Sequence, residues 1–230
     1  NSFFIQYETR SRKLEQTIQE VGERGGIMMI NHPGRYWEPA EDGSIPDDII
    51  ENYAAIFRDN AHVVGMEVIN QGQRYKDDVR LWDKVLAVLM PERPVWGFSN
   101  DDMHAKKKLG RDWEVFLIPS LNEANVRKAM ETGSFYFSTV GTHPEEERSV
   151  AETPLITSIT HDADAGTISI SATSGGNILP EEQYKWISAG EVVHTGPILD
   201  YRNNPGIANY IRAELTGKGG TTYTNPYGIK

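Results

Sequence analysis

The chain has 230 residues, of which 38% are hydrophobic and 24% charged, with a formal net charge of −10 and no cysteine. That length suits one large domain or two small ones of a soluble globular protein. The acidic balance excludes general nucleic-acid binding, which needs a basic surface to neutralise phosphates. No run approaches the roughly 18 apolar residues of a membrane-spanning helix. Without thiols there are no disulfides, and any metal must be held by His, Asp and Glu, a donor set that suits Zn, Mn, Fe or Mg. The opening NSFFIQYETRSRK lacks the apolar core and small-residue cleavage site of a signal peptide.

In chain order, residues 12–24 are expected to be helical, with Leu14, Ile18 and Val21 on one face and Gly25–Gly26 as the stop. IMMIN (27–31) is too short for a helix and fits a buried parallel strand. A loop through EPAEDGSIP leads to a second helix, with Asp47 or Asp48 as its cap and Ile49, Ile50, Tyr53, Ile56 and Phe57 as its apolar face. Strand HVVGMEVIN (62–70), helix DVRLWDKVLAVLM (78–90) and strand PVWGFSN (94–100) follow. Strand WEVFLIP (113–119), a helix over 122–132 and the segment GSFYFSTVG come next. Strands alternating with helices predict an α/β fold with parallel pairing and crossover helices.

HPEEERSVAETP is charged, carries prolines and has no period, so residues 143–154 are expected to be a linker between 1–142 and a β-rich unit, 155–230. In that unit LITSITHD, GTISISAT, YKWIS–EVVHT and GIANYIRAELTG alternate with period two, as antiparallel strands do. SAG between YKWI and EVVHT predicts a tight hairpin turn.

In parallel α/β folds chemistry sits at the carboxyl ends of strands. His32 follows the first predicted strand, Glu67 and Asn70 lie near the end of the second, and Asp101, Asp102 and His104 follow the third. An Asp-x-His pair offers an anionic and an imidazole donor two residues apart, which can bind one metal or two adjacent ones. SNDD is also good helix-capping material. Asp101 is read either as a ligand or as a neighbour that orients one. Glu67 is read as a base or substrate contact, or as an ordinary acid at a strand end. Arg35 and Arg111 could grip phosphate oxygens with paired donors, or lie free at the surface. Lys106–Lys108 reads as a solvated face, and His62, His143, His161 and His194 as structural or surface residues. Tyr36, Trp37, Trp96 and Trp113 read as core or pocket wall. No glycine-rich phosphate loop and no serine on a nucleophile elbow occur.

The segments GGIMMINHPGR, GMEVIN, GFSNDDMH and GRDWEVFLIPSLNEANVRKAMETGSFYFSTVG resemble, in order, the later motifs of the PHP (polymerase and histidinol phosphatase) superfamily. The similarity is to its bacterial metal-dependent phosphoesterases with a C-terminal β extension, and YIRAELTGKGGTTYTNPYGI is similar to the end of that branch. The resemblance implies that 1–142 is the C-terminal part of a distorted (β/α)7 barrel, followed by a small antiparallel β unit. It implies two or three divalent ions (Zn, Mn or Fe), with His32, Asp102 and His104 as ligands and Arg35 as a phosphate contact. The ions would activate water against a small phosphorylated substrate. The family's opening HxH motif is absent upstream of His32. An N-terminal segment or a partner chain is therefore expected to complete the barrel, since a partial barrel exposes strand edges. Two rival readings remain: a catalytically incomplete barrel that binds a ligand or partner, and hydrolysis of a non-phosphate bond at the same site.

Overall fold

The computed structural model describes residues 1–6, 13–141 and 149–229. The first half follows the expected rhythm closely. A two-residue strand β1 (Ser2–Phe3) precedes helix α1 (Leu14–Glu23), which buries Ile18 and Val21. Strand β2 (Ile27–Ile30), helix α2 (Asp47–Asp59), strand β3 (Val63–Asn70), helix α3 (Asp78–Leu89) and strand β4 (Trp96–Asn100) complete it. β2, β3 and β4 pair in parallel, and β1 closes the outer edge antiparallel to β2. Every residue of β2 and β3 is buried, as a parallel strand covered on both faces requires. Asp47 and Asp48 do not cap α2: Pro46 holds that position and the two acids stand in the first turn, where negative charge still favours the helix dipole.

After β4 the expectation of crossover helices fails. Strands β5 (Asp112–Phe116) and β6 (Phe135–Thr139) pair antiparallel, Asp112 opposite Thr139 and Phe116 opposite Phe135. Helix α4 (Glu123–Thr132) between them is therefore an excursion at one end of a hairpin. Alternation of strand and helix along a sequence is the same for both connections, and only the pairing separates them.

The remaining strands are β7 (Leu155–Asp162), β8 (Thr167–Ser174), β9 (Asn177–Ile178), β10 (Tyr184–Ser188), β11 (Glu191–Thr195), β12 (Ile198–Asp200), β13 (Tyr210–Thr216), β14 (Thr221–Thr224) and β15 (Tyr227–Gly228). The second sheet has the order β11-β10-β13-β14-β6-β5, with β15 on β13. The third has the order β12-β8-β7, with β9 on β8. The division of the chain at 142 and 155 is thus crossed by one sheet, in which β6 bonds to β14 through four residue pairs, Thr139–Thr221 to Tyr136–Thr224. Of the expected linker, residues 150–152 form a short helical turn, and the Glu152 carbonyl accepts from Gly219 N–H (3.1 Å) and Ser174 Oγ (2.6 Å). His143 lies outside the described residues. Among the described residues the molecule is mixed α/β with no closed barrel.

The far edge of β4 is satisfied by side chains instead of by another parallel strand. Gly97 N–H donates to Asn225 Oδ1 (2.8 Å), and Ser99 N–H to Glu114 Oε1 (2.9 Å). Ser99 Oγ donates to the Ser138 carbonyl (2.9 Å). Backbone donors buried at a sheet edge must find partners, and here Glu114 of β5 and Asn225 of the tail provide them by side chain.

The hairpin turn predicted at SAG is present. Ala189 and Gly190 link β10 to β11 with φ of 52° and 85°, the two left-handed residues of a two-residue hairpin loop. Alanine is strained in that region. Ala189→Asn is expected to stabilise the chain by about 0.5–1 kcal/mol, read as a higher urea midpoint with unchanged slope; an unchanged midpoint would refute the strain.

Candidate functional site

The loops that follow β2, β3 and β4 come together at the carboxyl ends of these strands. Of the six non-glycine residues with positive φ among the described residues, four lie in these loops: His32 (27°), Gln71 (48°), Gln73 (69°) and Asp102 (43°). Such strain persists only where surrounding contacts enforce it, and it concentrates at functional sites.

His32 is held by its backbone. Its N–H donates to Glu67 Oε2 at 2.7 Å, which joins the end of β2 to the middle of β3. Two residues on, Gly34 N–H donates to Asp78 Oδ1 at 2.6 Å, tying the same loop to the first residue of α3. A Cβ on Gly34 would stand 2.5 Å from that carboxylate oxygen, so a larger residue there would have to displace the Asp78 side chain. The imidazole lies between the rings of Tyr36 and Tyr75, with centroids at 5.8 and 5.7 Å. Its Nδ1 is buried with no hydrogen-bond partner. His32 stands at the N-cap position of the short helical turn Pro33–Arg35, but its side chain makes no capping bond.

Glu67 is 1% exposed. Burial drives its pKa up to about 7, against the lowering influence of the Asn70 amide, the His32 N–H and the Asn100 amide. Asn70, also 1% exposed, stands beside the Glu67 and Asp102 carboxylates, yet neither of its amide atoms closes a hydrogen bond of good geometry. Buried amides are nearly always bonded. The Asn70 amide and His32 Nδ1 are thus buried polar groups of this cluster that close no hydrogen bond of good geometry.

Asp102 Oδ2 accepts from Gln71 Nε2 (2.7 Å), and His104 Nδ1 bonds the Asp102 carbonyl oxygen (2.7 Å). Partial burial would raise the Asp102 carboxyl, but the Gln71 amide, His104, the Asn70 amide and His32 together hold it below its ordinary value. His104 itself projects outward, its side chain 74% exposed. Asp101 is turned to structural use, its two oxygens accepting from Gly110, Arg111 and Asp112 N–H at 2.7, 2.8 and 3.0 Å. Arg111 binds the Gln71 carbonyl through Nη1 (3.0 Å), and Lys108 Nζ binds Gln71 Oε1 (2.9 Å). Arg35 is exposed and lines a cleft outside the His32 loop.

The structure thus gathers His32, Glu67, Asn70 and Asp102, with His104 at the rim. It turns Asp101 and Arg111 to loop architecture and leaves the Arg35 side chain exposed on the neighbouring cleft. Among the described residues no three His, Asp or Glu side chains are grouped to hold a metal ion. The implied ligands His32, Asp102 and His104, with Asp101 as the further candidate, therefore do not form a cage by themselves: Asp101 is engaged by backbone, His104 Nδ1 by a carbonyl, and His32 Nδ1 is buried and unpartnered.

Sequence reasoning passed over four residues. Gln71 organises the β3 and β4 loops. Asp78, fully buried, is pushed by burial up to about 8, with the nearby Glu67 and Asp77 charges adding to the rise. Burial likewise lifts Glu114 to about 7 and Asp112 to about 6, and Glu67 adds to the rise of Glu114. Asp78 had the signal of a helix opener and no more. The acids of β5 alternate with Trp113 and Val115, which reads as a solvated face until β4 covers it.

No family model matches the chain, and no curated protein matches it. Among solved structures it is similar to a two-domain protein from Bacteroides vulgatus ATCC 8482 containing a predicted PHP-like metal-dependent phosphoesterase. The two are 13% identical, with a TM-score of 0.43 over 96% of this chain and 66% of that one. At that level the likeness settles neither fold nor activity, and this chain spans just under two thirds of the other's length.

Proposed function

We propose that the cluster at the ends of β2, β3 and β4 is the proton-transfer and oxyanion-binding face of a hydrolase acting on phosphate esters. The reaction is of the metal-dependent kind, and the donors lacking here come from chain or partner outside the described residues. One observation carries the reading. Glu67 is a buried carboxyl poised at about 7, set beside the Asn70 amide and the strained His32, whose Nδ1 is unpartnered. A group whose pKa lies near working pH is the best placed to give or take a proton. Asn70 Nδ2 is a donor already desolvated and held for a developing negative oxygen. Arg35, exposed on the His32 loop, is the cation that would meet an incoming phosphate. A divalent ion, when present, would supply the activated water and charge neutralisation.

Hydrolysis of p-nitrophenyl phosphate with added Mn2+ or Zn2+, for the parent and Glu67→Gln, tests this. The variant keeps the shape and removes the titrating oxygen, and it is expected to lose at least about 100-fold in kcat, the usual scale for a general acid–base group. Equal rates in parent and variant would remove Glu67 from the reaction. A second reading, a ligand-binding remnant of an enzyme, is favoured by the incomplete donor set. Equilibrium binding of a phosphate ester with no turnover in any metal would select it.

A further inference from the structure

Outside the His32 loop lies an open cleft of about 370 Å³, walled by Arg35, Trp37, Glu38, Arg74, Tyr75 and Lys76. Three of these are cations, on a chain whose net charge is −10. Among the described residues the side chains of Arg35 and Lys76 have no hydrogen bond or ion pair, and that of Arg74 rests only on the Tyr75 ring, 5.5 Å from its centroid. Of the acids at the rim, Asp77 is already paired with Arg80 at 2.6 Å, which leaves Glu38 as the one opposing charge.

Two further observations point to a ligand. Trp37 is 8% exposed, and its indole Nε1–H is buried without an acceptor, although a buried indole usually finds one. The segment Tyr75–Asp77 also leads straight into the N-terminus of α3, a helix of 12 residues, where the backbone dipole favours an anion. The cleft and the His32 site share a wall. The Tyr75 ring carries Arg74 and also packs against the His32 imidazole at 5.7 Å.

We propose that this cleft binds a second oxyanion of the substrate, so that the preferred phosphate esters carry a further phosphate or carboxylate a few bonds from the one that reacts. The inference rests on the hydrolase reading for the word substrate, but the binding it requires does not depend on turnover. Arg74 and Lys76 would hold the second anion by charge, Trp37 Nε1–H would donate to it, and Arg35, between the two sites, would touch both groups.

Titration calorimetry on the 230-residue chain tests this with three probes: propane-1,3-diol bisphosphate, 3-phosphoglycerate and glycerol 1-phosphate. The two doubly anionic probes are expected to bind at least about tenfold tighter than glycerol 1-phosphate, one charge-assisted contact being worth about that factor. Arg74→Ala/Lys76→Ala, both exposed positions, should erase that preference and leave glycerol 1-phosphate binding within about twofold. Trp37→Phe keeps the ring and loses the donor, and should weaken only the doubly anionic probes. Whichever of phosphate and carboxylate binds tighter names the second group. Equal binding of all three probes by the parent, no binding of any, or a preference that survives the double substitution would overturn the inference. Tight binding of a doubly anionic probe without its hydrolysis would leave the inference standing and defeat the hydrolase reading alone.

Discussion

Asp83→Ala is expected to remove about 3–5 kcal/mol of stability, enough to unfold most of the chain near physiological temperature. Asp83 lies on the inner face of α3 and Arg212 on β13, and both are buried. Arg212 Nε and Nη2 donate to the two Asp83 oxygens at 2.8 and 2.7 Å, and Nη1 donates to Glu214 Oε1 at 2.6 Å. Tyr210 Oη donates to Asp83 Oδ1 at 2.7 Å, and the guanidinium stands 5.1 Å from the Trp82 ring centroid. Burial alone would lower the Arg212 pKa, yet Asp83 and then Glu214 hold it above its ordinary value. Losing Asp83 leaves the buried guanidinium with Glu214 as its one charged partner and two of its donors unsatisfied, and breaking a buried ion pair is among the costliest of point changes. The measurement is urea unfolding of the parent, Asp83→Ala, and Asp83→Ala/Arg212→Met. The double variant should recover most of the loss, because an apolar side chain of similar volume asks for no partner. A loss below about 1 kcal/mol in the single variant would show that the pair is not what fastens the parallel sheet's helix to the second sheet.

Glu67→Gln is expected to stabilise the chain at pH 8 by about 3 kcal/mol relative to its effect at pH 4.5. The sign follows from burial. The folded chain keeps the Glu67 proton to about 7, and the unfolded chain gives it up near 4.5. Between these values the folded state binds more protons than the unfolded one, so stability falls as pH rises through the window and levels off above it. Glutamine is neutral throughout and removes that share of the decline. Asp78, held up to about 8, and Glu114, up to about 7, each feel the Glu67 charge, so the substitution also eases their ionisation. Urea midpoints across pH 4.5–8.5, with EDTA present, give the two slopes. Parallel slopes for parent and variant would mean that Glu67 ionises freely in the folded chain. The same substitution is expected to cut hydrolysis at least about 100-fold, so a site that is less active and more stable at pH 8 would display the usual trade between function and stability.

The elements of the first half were legible because each is coded locally. IMMI and VVGMEVIN are apolar runs too short for helices, and the 3.6-residue stripes of α1, α2 and α3 are strong, so the structure moves their ends by only a few residues. Glycine pairs, the SAG turn and the alternating strands of 155–216 are equally local signals. The candidate residues were legible in kind, since His32, Glu67, Asn70 and Asp102 each stand at or near the carboxyl end of a parallel strand, and the topology brings such ends together whatever lies between them.

The sequence alone determined the α/β class, the order of elements, the acidic and thiol-free surface and the strand ends where chemistry gathers. The tertiary structure alone decided that β5 and β6 turn back to pair antiparallel, that one sheet spans the expected linker, and that Asp101 serves loop backbone. It alone decided that Asp78 and Asp112 are buried and Glu114 half-buried, and that desolvation raises all three carboxyls above their ordinary values. The reason is the same in each case. Periodicity and turn chemistry act over a few residues and can be read from them, whereas strand pairing, burial and the loss of solvent around a charge depend on residues far away in the chain, such as Glu114 on Ser99 and Arg212 on Asp83.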